Sequence, residues 1–287
     1  MSTTFDTTID QPPGTGPARG SIVRNDPPAT GRSSLRLSTR HALALAWRSL
    51  IKLTRTPEQL IDVTLQPVIF LLLFTYIFGG AIGGGSQHDY LQFLLPGLLG
   101  QSIAMAGVAL GQNLNADIEK GVFDRFRSLP ISRSAPLVGA VLADFVRYLT
   151  VCVVFIGFGS ILGFRIHTNA LATLAAVGIA IAFALCFCWI SVTVGMFART
   201  SGSVQGIMFL IVLPLSFASN TFVSTATMPG WLQAFVKVNP ITHLVSTVRG
   251  LMVGGPVAGN LGWTLLWMAI LLVIFVPLAL TGYRRRA

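Results

Sequence analysis

Residues 170–197 read ALATLAAVGIAIAFALCFCWISVTVGMF, an apolar run without a charged residue. Roughly 20 helical residues cross a hydrocarbon core about 30 Å thick, and this run is long enough to do so. Backbone amides in lipid must find hydrogen-bond partners within their own segment, because no water reaches them. The run therefore predicts a transmembrane helix.

Other stretches on both sides of this run have the length and hydropathy of membrane spans. Together the predicted spans lie near residues 60–82, 91–113, 136–164, 170–197, 203–223 and 261–283. The sequence therefore predicts an all-α membrane protein with about six transmembrane helices.

The composition agrees with a membrane protein. Of the 287 residues, 53% are hydrophobic and 10% are charged, whereas soluble domains carry about 25% charged residues. The 20 Lys and Arg outnumber the 10 Asp and Glu, but they lie in tails and short loops, which argues against nucleic-acid binding. Residues 1–37 are rich in Thr, Ser, Pro and Gly and are predicted to form a disordered cytoplasmic tail that is not a signal peptide.

The cysteines and histidines predict no metal site. Cys152, Cys186 and Cys188 lie inside apolar runs, where a thiol behaves as a small hydrophobe. The four histidines lie in separate segments. Because the motifs of serine and zinc hydrolases are also missing, the sequence predicts neither a catalytic residue nor a metal ligand.

The cations are distributed unevenly between the two sides of the membrane. One side holds twelve near the membrane boundary: Arg40, Arg48, Lys52, Arg55, Lys120, Arg125, Arg127, Arg133, Arg199, Arg284, Arg285 and Arg286. The other side holds three: Arg165, Lys237 and Arg249. The positive-inside rule then predicts that both termini, including the basic end at 284–287, are cytoplasmic.

An amphipathic segment precedes the first span. Residues 38–57 place Trp47 among apolar residues at helical spacing, while Arg48, Lys52 and Arg55 occupy another face. This pattern predicts an interfacial helix. A cytoplasmic extension of the first span is the alternative.

The loop between the second and third predicted spans carries dense alternating charge. Residues 119–130 read EKGVFDRFRSLP, in which Phe123, Phe126 and Leu129 recur at roughly helical spacing before Pro130. A short helix of this kind fits a groove on a soluble partner domain. A helix lying on the membrane surface explains the pattern equally well.

A second unusual segment precedes the last span. Asn239 as N-cap with Pro240 as the first helical residue predicts a helix start, and Ile241, Leu244 and Val245 begin its apolar face. The segment is too short to span, so we expect short helices at the outer surface, where they form either a lid or an interface anchor.

Charges within the spans allow a different function. Asp62, and the pair formed by Asp144 and Arg147, lie early in the first and third predicted spans. The pair can snorkel to the cytoplasmic interface. An ion-driven secondary transporter using these groups is the alternative function, and a non-transporting membrane scaffold is a third.

No Gly-x-x-x-x-Gly-Lys-[Ser/Thr] phosphate loop occurs in this sequence. If transport is driven by ATP, the nucleotide must be bound by another chain. We therefore expect that the chain is not itself an enzyme and binds no cofactor.

The run 119–130 resembles the cytoplasmic loop of ABC-2 type permeases, especially the daunorubicin/doxorubicin resistance permeases. The resemblance continues through residues 213–222 (LPLSFASNTF), 228–235 (MPGWLQAF), 239–243 (NPITH) and 249–251 (RGL), and covers about residues 40–282. It implies a six-span half-transporter in the plasma membrane that exports hydrophobic compounds such as antibiotics or lipids.

The same resemblance implies a homodimer with two copies of a separate ATPase, which would bind ATP and Mg²⁺. It assigns contact with that ATPase to the interfacial helix and to Glu119, Lys120, Gly121, Phe123, Asp124, Arg125, Arg127, Leu129 and Pro130.

Spans two and five flank the substrate path in such proteins. Polar or adaptable side chains on them are Gln101, Met105, Asn113, Phe209, Ser216, Phe217 and Asn220. A lining of Met and aromatic residues suits an apolar, ring-containing substrate. Plain helix packing is the alternative role of these residues.

Overall fold

The computed structural model describes residues 57–82, 86–120 and 135–286, which are almost entirely helical. The helices, labelled in chain order, are α1 Pro57–Leu73, α2 Gly79–Ile82, α3 Gln87–Ala106, α4 Val108–Glu119, α5 Ala135–Ile161, α6 Ala170–Phe197, α7 Ser201–Phe217, α8 Gly230–Val238, α9 Pro240–Met252 and α10 Ala258–Arg286. A π-helical turn, Phe74–Phe78, joins α1 to α2. The interfacial helix predicted at 38–57 and the charged residues 121–134 lie outside the described part of the chain, apart from Pro57 at the start of α1.

Four stretches of the described residues are long and apolar enough to cross a membrane: Gln87–Glu119, Asp144–Ile161, Ala170–Phe197 and Ala258–Gly282. Two shorter apolar helices, Leu65–Phe78 and Ser201–Phe217, accompany them. The chain is thus a helical protein with several apolar membrane helices.

Helix α6 lies at the centre and packs against α3, α4, α5, α7, α9 and α10. One side of it carries small residues four apart, and Ala176, Ala180, Ala184 and Cys188 are all buried. Small side chains let helix backbones approach closely, which is how helices associate where no hydrophobic effect drives them together.

The second membrane helix is interrupted once. Helix α3 gives way to α4 at Gly107, whose carbonyl accepts a hydrogen bond of 2.6 Å from the hydroxyl of Ser191 on α6. A Cβ at position 107 would lie 3.4 Å from the side chains of Cys188 and Tyr148. The interruption is therefore held by close contacts with α5 and α6.

Below this interruption α4 is clamped to α6. A Cβ at Gly195 would lie 2.6 Å from the carbonyl oxygen of Gly111, so the two backbones touch. The buried Asn115 amide donates to the carbonyls of Gly195 at 2.8 Å and Ala198 at 3.0 Å. These bonds satisfy carbonyls at the end of α6 that the helix itself cannot pair.

Asn239 joins two helix ends. Its side-chain oxygen accepts from the amide of Ile241 at 2.9 Å, which caps α9 as the Asn-Pro pattern predicted. Its amide donates to the carbonyls of Leu215 and Ala218, each at 2.7 Å. These bonds hold one carbonyl in the last turn of α7 and the carbonyl just after it. The helix ends there, at Phe217, before the predicted boundary at residue 223.

The two short helices before α10 differ in burial. Helix α9 inserts between α3, α6 and α10, and Ile241, Leu244 and Val245 on its apolar face are fully buried. On α8, by contrast, the side chain of Trp231 is 76% exposed. Only α8 therefore has the exposure of a surface helix, and α9 is a core element.

Candidate functional site

A cavity of about 360 Å³ lies between α1, α3, α4, α5 and α7. Its apolar lining consists of Pro67, Phe70, Leu98, Met105, Ala106, Ala109, Val151, Phe209, Leu213 and Phe217. Its polar lining consists of Gln66, Gln101, Ser102 and Arg147. Mostly apolar walls with a few polar groups are typical of small-molecule sites.

Arg147 places a cation in this wall. Its guanidinium bonds to the carboxylate of Asp144 at 2.9 Å and to the carbonyl of Ala106 at 3.0 Å. The hydroxyl of Tyr148 also donates to Asp144, at 3.4 Å. The cation and the anion are both buried and neutralise each other, so the pair adds polarity to the cavity without adding net charge.

Burial corrects one expectation from the sequence. Arg147 and Asp144 do not reach out to water, since their residues are 8% and 5% exposed. A buried Arg is tolerated here because a carboxylate and a backbone carbonyl accept hydrogen bonds from its guanidinium.

Gln101 is a second buried polar residue of the same cavity wall. The residue is 8% exposed, and its Oε1 has no hydrogen-bond partner among the described residues. Buried polar atoms in folded proteins are nearly always paired. Gln101 is therefore a polar residue of the cavity wall whose amide oxygen lies buried without a partner among the described residues.

An aromatic cluster adjoins the cavity. The ring of Phe74 lies 6.1 Å from that of the lining residue Phe70 and 4.6 Å from that of Phe222. Phe222 in turn stacks at 5.2 Å on Phe217, which also lines the cavity. Tyr90 holds the Phe222 backbone by a hydrogen bond of 3.3 Å to its carbonyl.

Arg249 on α9 braces the irregular segment that carries this cluster. It donates to the carbonyls of Asn220 at 3.0 Å and Phe93 at 3.1 Å, and lies 3.8 Å above the Phe93 ring. Burial lowers the pKa of Arg249 to about 10. Since that value remains well above neutral pH, the guanidinium stays charged and keeps its donors.

The cavity brings together four of the side chains predicted from the sequence, namely Gln101, Met105, Phe209 and Phe217. The other three lie elsewhere. Asn113 is exposed on α4, Ser216 is buried away from the lining, and Asn220 donates to Ser246 at 2.7 Å. Sequence reasoning did not place Arg147 in the cavity, although a charge inside an apolar span is a signal for an internal polar site.

The predicted ATPase contacts fall at the end of α4. Glu119 is its last residue, and both Glu119 and Lys120 are exposed. The remaining predicted contacts, from Gly121 to Pro130, lie outside the described residues, as do Trp47, Arg48, Lys52 and Arg55 of the predicted interfacial helix. Helix α4 thus ends where the predicted contacts begin in the sequence, and it meets the cavity near its other end, at Ala109.

Comparison with known proteins identifies the family. Residues 40–253 match the family model described as ABC-2 type transporter. The chain is 41% identical over 240 residues to a daunorubicin resistance ABC transporter permease protein of Streptomyces coeruleorubidus, covering 84% of each chain.

Relatives with lower sequence identity are also transport permeases. A Mycobacterium tuberculosis protein named as a doxorubicin resistance ABC transporter permease is 26% identical over 256 residues, covering 88% of this chain and 92% of that protein. The inner membrane transport permease YadH of Escherichia coli is 26% identical over 200 residues, or 66% of this chain and 75% of the relative. The chain therefore belongs to the ABC-2 type transporter family and is a multi-pass membrane permease.

Proposed function

We propose that this permease is the membrane half of an exporter that moves hydrophobic compounds, such as antibiotics or lipids, out of the cell. A separate ATPase, which binds ATP and Mg²⁺, supplies the energy. The observation that carries the proposal is the 41% identity, over 84% of both chains, to a permease named for daunorubicin resistance. An apolar cavity lined by Phe70, Phe209 and Phe217 suits the same kind of substrate.

The proposed topology has six spans with both termini in the cytoplasm. Helix α1 with its π-helical turn and α2 form the first span, α3 with α4 the second, α5 the third, α6 the fourth, α7 the fifth and α10 the sixth. The excess of cations at the ends 40–55, 120–133 and 284–286 supports this orientation. Helices α8 and α9 then lie toward the outer side, and so does the aromatic cluster beside the cavity.

The charged loop after α4 is the proposed docking point for the ATPase. Movement of this loop reaches α4 first, because Glu119 is the last residue of that helix. Asn115 and the contact between Gly111 and Gly195 tie α4 to the central α6. At its other end α4 meets the cavity at Ala109, so a rigid displacement of α4 changes the cavity wall.

A homodimer with two ATPase subunits is the proposed assembly. Helix α7 turns an apolar surface outward, with Phe209 54% and Leu210 76% exposed. Both residues lie beside or within the cavity lining. This surface suits a second copy of the permease as well as lipid, which would place the two cavities near one another.

Reconstitution tests the proposal. The permease and its ATPase are placed in liposomes, and uptake of a hydrophobic dye is measured together with ATP hydrolysis. Replacing both acids, Glu119→Ala with Asp124→Ala, is expected to abolish transport while the ATPase still hydrolyses ATP. Asp89→Ala, at the opposite end of the second span, is the matched control and is expected to transport normally.

Wild-type transport by the double variant would contradict the proposed coupling. A proton gradient without ATP is expected to drive no transport. Gradient-driven transport that Asp144→Asn abolishes would instead favour an ion-driven carrier.

A further inference from the structure

Arg249 on α9 is a largely buried cation that has no carboxylate partner among the described residues. We infer that Arg249 and Ser246 form an anion site that takes the phosphate of a phospholipid headgroup from the outer side of the membrane. The site is separate from the cavity, whose lining includes neither residue. The inference rests on the proposed six-span topology, and it adds a lipid partner that the proposed export does not itself require.

The chain offers no counter-anion to Arg249. Every Asp and Glu of the sequence lies at or before Asp144, and Asp144 is already paired with Arg147. Asp89 is the acid at the outer end of α3, and its side chain is exposed. Charges removed from water are normally paired, because an isolated buried charge is very costly. An anion from outside the chain would therefore complete the site.

Two backbone carbonyls and an aromatic ring fix the guanidinium. Nε donates to the carbonyl of Phe93 at 3.1 Å, Nη2 donates to the carbonyl of Asn220 at 3.0 Å, and Cζ lies 3.8 Å above the centre of the Phe93 ring. Nε and one N–H of Nη2 form one edge of the planar group, and this edge is occupied. The end edge keeps the parallel N–H donors of Nη1 and Nη2, a fork that fits two oxygens of a phosphate.

The free edge of Arg249 can be reached from outside. The residue is partly exposed. Its Nη1 makes no hydrogen bond among the described residues, yet it is not one of the fully buried unpaired side-chain atoms. It differs in this respect from Oε1 of Gln101, which is fully buried. An anion can therefore contact Nη1 without displacing the bonds that hold Nε and Nη2.

Ser246 adds a hydroxyl to this edge. It lies three residues before Arg249 on α9, and residues at this spacing share one face of a helix. The Ser246 oxygen accepts from the side-chain amide of Asn220 at 2.7 Å, and Arg249 bonds to the carbonyl of the same Asn220. The Ser246 hydroxyl proton has no acceptor among the described residues, so it is free to donate. Arg249 and Ser246 thus present donors to one ligand.

The depth of the site suits a lipid phosphate. Phe93 lies six residues beyond the start of α3 at Gln87, where the side chains are polar and exposed. A rise of about 1.5 Å per residue places the Phe93 carbonyl roughly 9 Å from that end. In the proposed topology this end is the outer boundary, and roughly 5–10 Å is the depth at which headgroups meet acyl chains. Basic pockets between membrane helices bind lipid headgroups.

Three probes separate the sources of the anion. They are dioleoylphosphatidylglycerol, dioleoylglycerol, which has the same acyl chains without the phosphate, and inorganic phosphate, which has no acyl chain. Binding to the full chain is measured by native mass spectrometry after release from dodecyl maltoside micelles. The melting temperature in lipid-free micelles shows whether each variant is folded.

For the wild type we expect phosphatidylglycerol to bind about tenfold or more tightly than dioleoylglycerol, because hydrogen bonds to a charged group are strong. Inorganic phosphate at the same concentration is expected not to displace the lipid. Arg249→Gln keeps an amide for the two carbonyls but loses the charge and the fork, so the preference should fall to near one. Ser246→Ala should reduce the preference about threefold.

Arg165→Gln is the matched control. Arg165 is another cation on the outer side, it is exposed, and its backbone amide makes the bond to Gln92. We expect this variant to keep the wild-type preference. An equal loss in Arg165→Gln would show a general attraction to positive charge and would overturn the inference.

Equal binding of both lipids by the wild type, or a preference that survives Arg249→Gln, would also overturn it. Displacement of the lipid by inorganic phosphate would overturn the lipid assignment. If Arg249→Gln does not fold, Ser246→Ala provides the test, and an unchanged preference there would contradict the site. ATP-driven transport without lipid preference would remove only this site, whereas lipid preference in a permease that transports nothing would remove only the proposed function.

Discussion

The guanidinium of Arg147 on α5 donates to the backbone carbonyl of Ala106, 3.0 Å away, at the residue where α3 ends. The next carbonyl, that of Gly107, accepts from Ser191 on α6. The interruption between α3 and α4 is therefore held from two neighbouring helices. Because Ala106 and Arg147 both line the cavity, the joint of the second membrane helix is part of the cavity wall.

Breaking the ion pair on one side should destabilise this joint. Arg147→Met leaves the Asp144 carboxylate buried without its cation, and such a change costs about 3–5 kcal/mol. The free energy of unfolding, measured by SDS titration of the chain in mixed micelles, should fall accordingly. Arg147→Met combined with Asp144→Asn should recover most of the loss, and an equal loss in both variants would contradict the pairing.

Adding a single methyl group where α4 and α6 touch should destabilise the protein. A Cβ at Gly195 would lie 2.6 Å from the carbonyl oxygen of Gly111, and overpacking of this kind typically costs about 1–3 kcal/mol. Gly178→Ala on the same helix is the control, since nothing lies within 4 Å of a Cβ there. We expect a lower melting temperature for Gly195→Ala and an unchanged or higher one for Gly178→Ala. The reverse order would show that α4 and α6 do not touch as described.

Asn115 should matter far more than its neighbour Asn113. Asn115→Leu removes both bonds to the end of α6, and the loss of the donor to the carbonyl of Gly195 costs about 1–3 kcal/mol. Asn113→Leu changes an exposed side chain and should leave the free energy of unfolding nearly constant. SDS titration measures the free energy of unfolding of both variants. Equal losses in the two would mean that the bonds from Asn115 to the end of α6 do not stabilise the protein.

Asn239 offers a test that separates its two roles. Asn239→Asp can still cap α9, but a carboxylate cannot donate to the carbonyls of Leu215 and Ala218. We therefore expect Asn239→Asp to destabilise the protein at least as much as Asn239→Ala, by about 1–3 kcal/mol. Thermal unfolding in detergent measures both variants. A fully stable Asn239→Asp protein would mean that only the cap contributes.

Structural features that depend on residues close together in the sequence could be predicted. The start of α9 at Asn239 and Pro240, with its apolar face, could be predicted because capping and helical periodicity are local properties. The end of α7 at Phe217 could not, since the side chain that holds its last carbonyls comes from Asn239, far along the chain. Gly195 and Gly178 look alike in the sequence, and only the approach of α4 distinguishes them.

The side chains that line the cavity could be proposed from the sequence only in part. Gln101, Met105, Phe209 and Phe217 are polar or adaptable side chains on predicted spans two and five, and all four line the cavity. Asn113, also on span two, faces outward, because the interruption at Gly107 and the clamp on α4 set the direction of each side chain. Arg147 belongs to a different span, and no local pattern indicates that it turns toward Ala106.

The central claim is that the charged loop after α4 is held by a separate ATPase. Photo-crosslinking in living cells tests it directly, with Phe126→p-benzoylphenylalanine in the loop and Trp231→p-benzoylphenylalanine on α8 as the control. We expect that the loop position, and not the control, captures a protein that mass spectrometry identifies as carrying the Gly-x-x-x-x-Gly-Lys-[Ser/Thr] phosphate loop. Capture of such a protein only from α8, or of lipid alone from the loop, would contradict it.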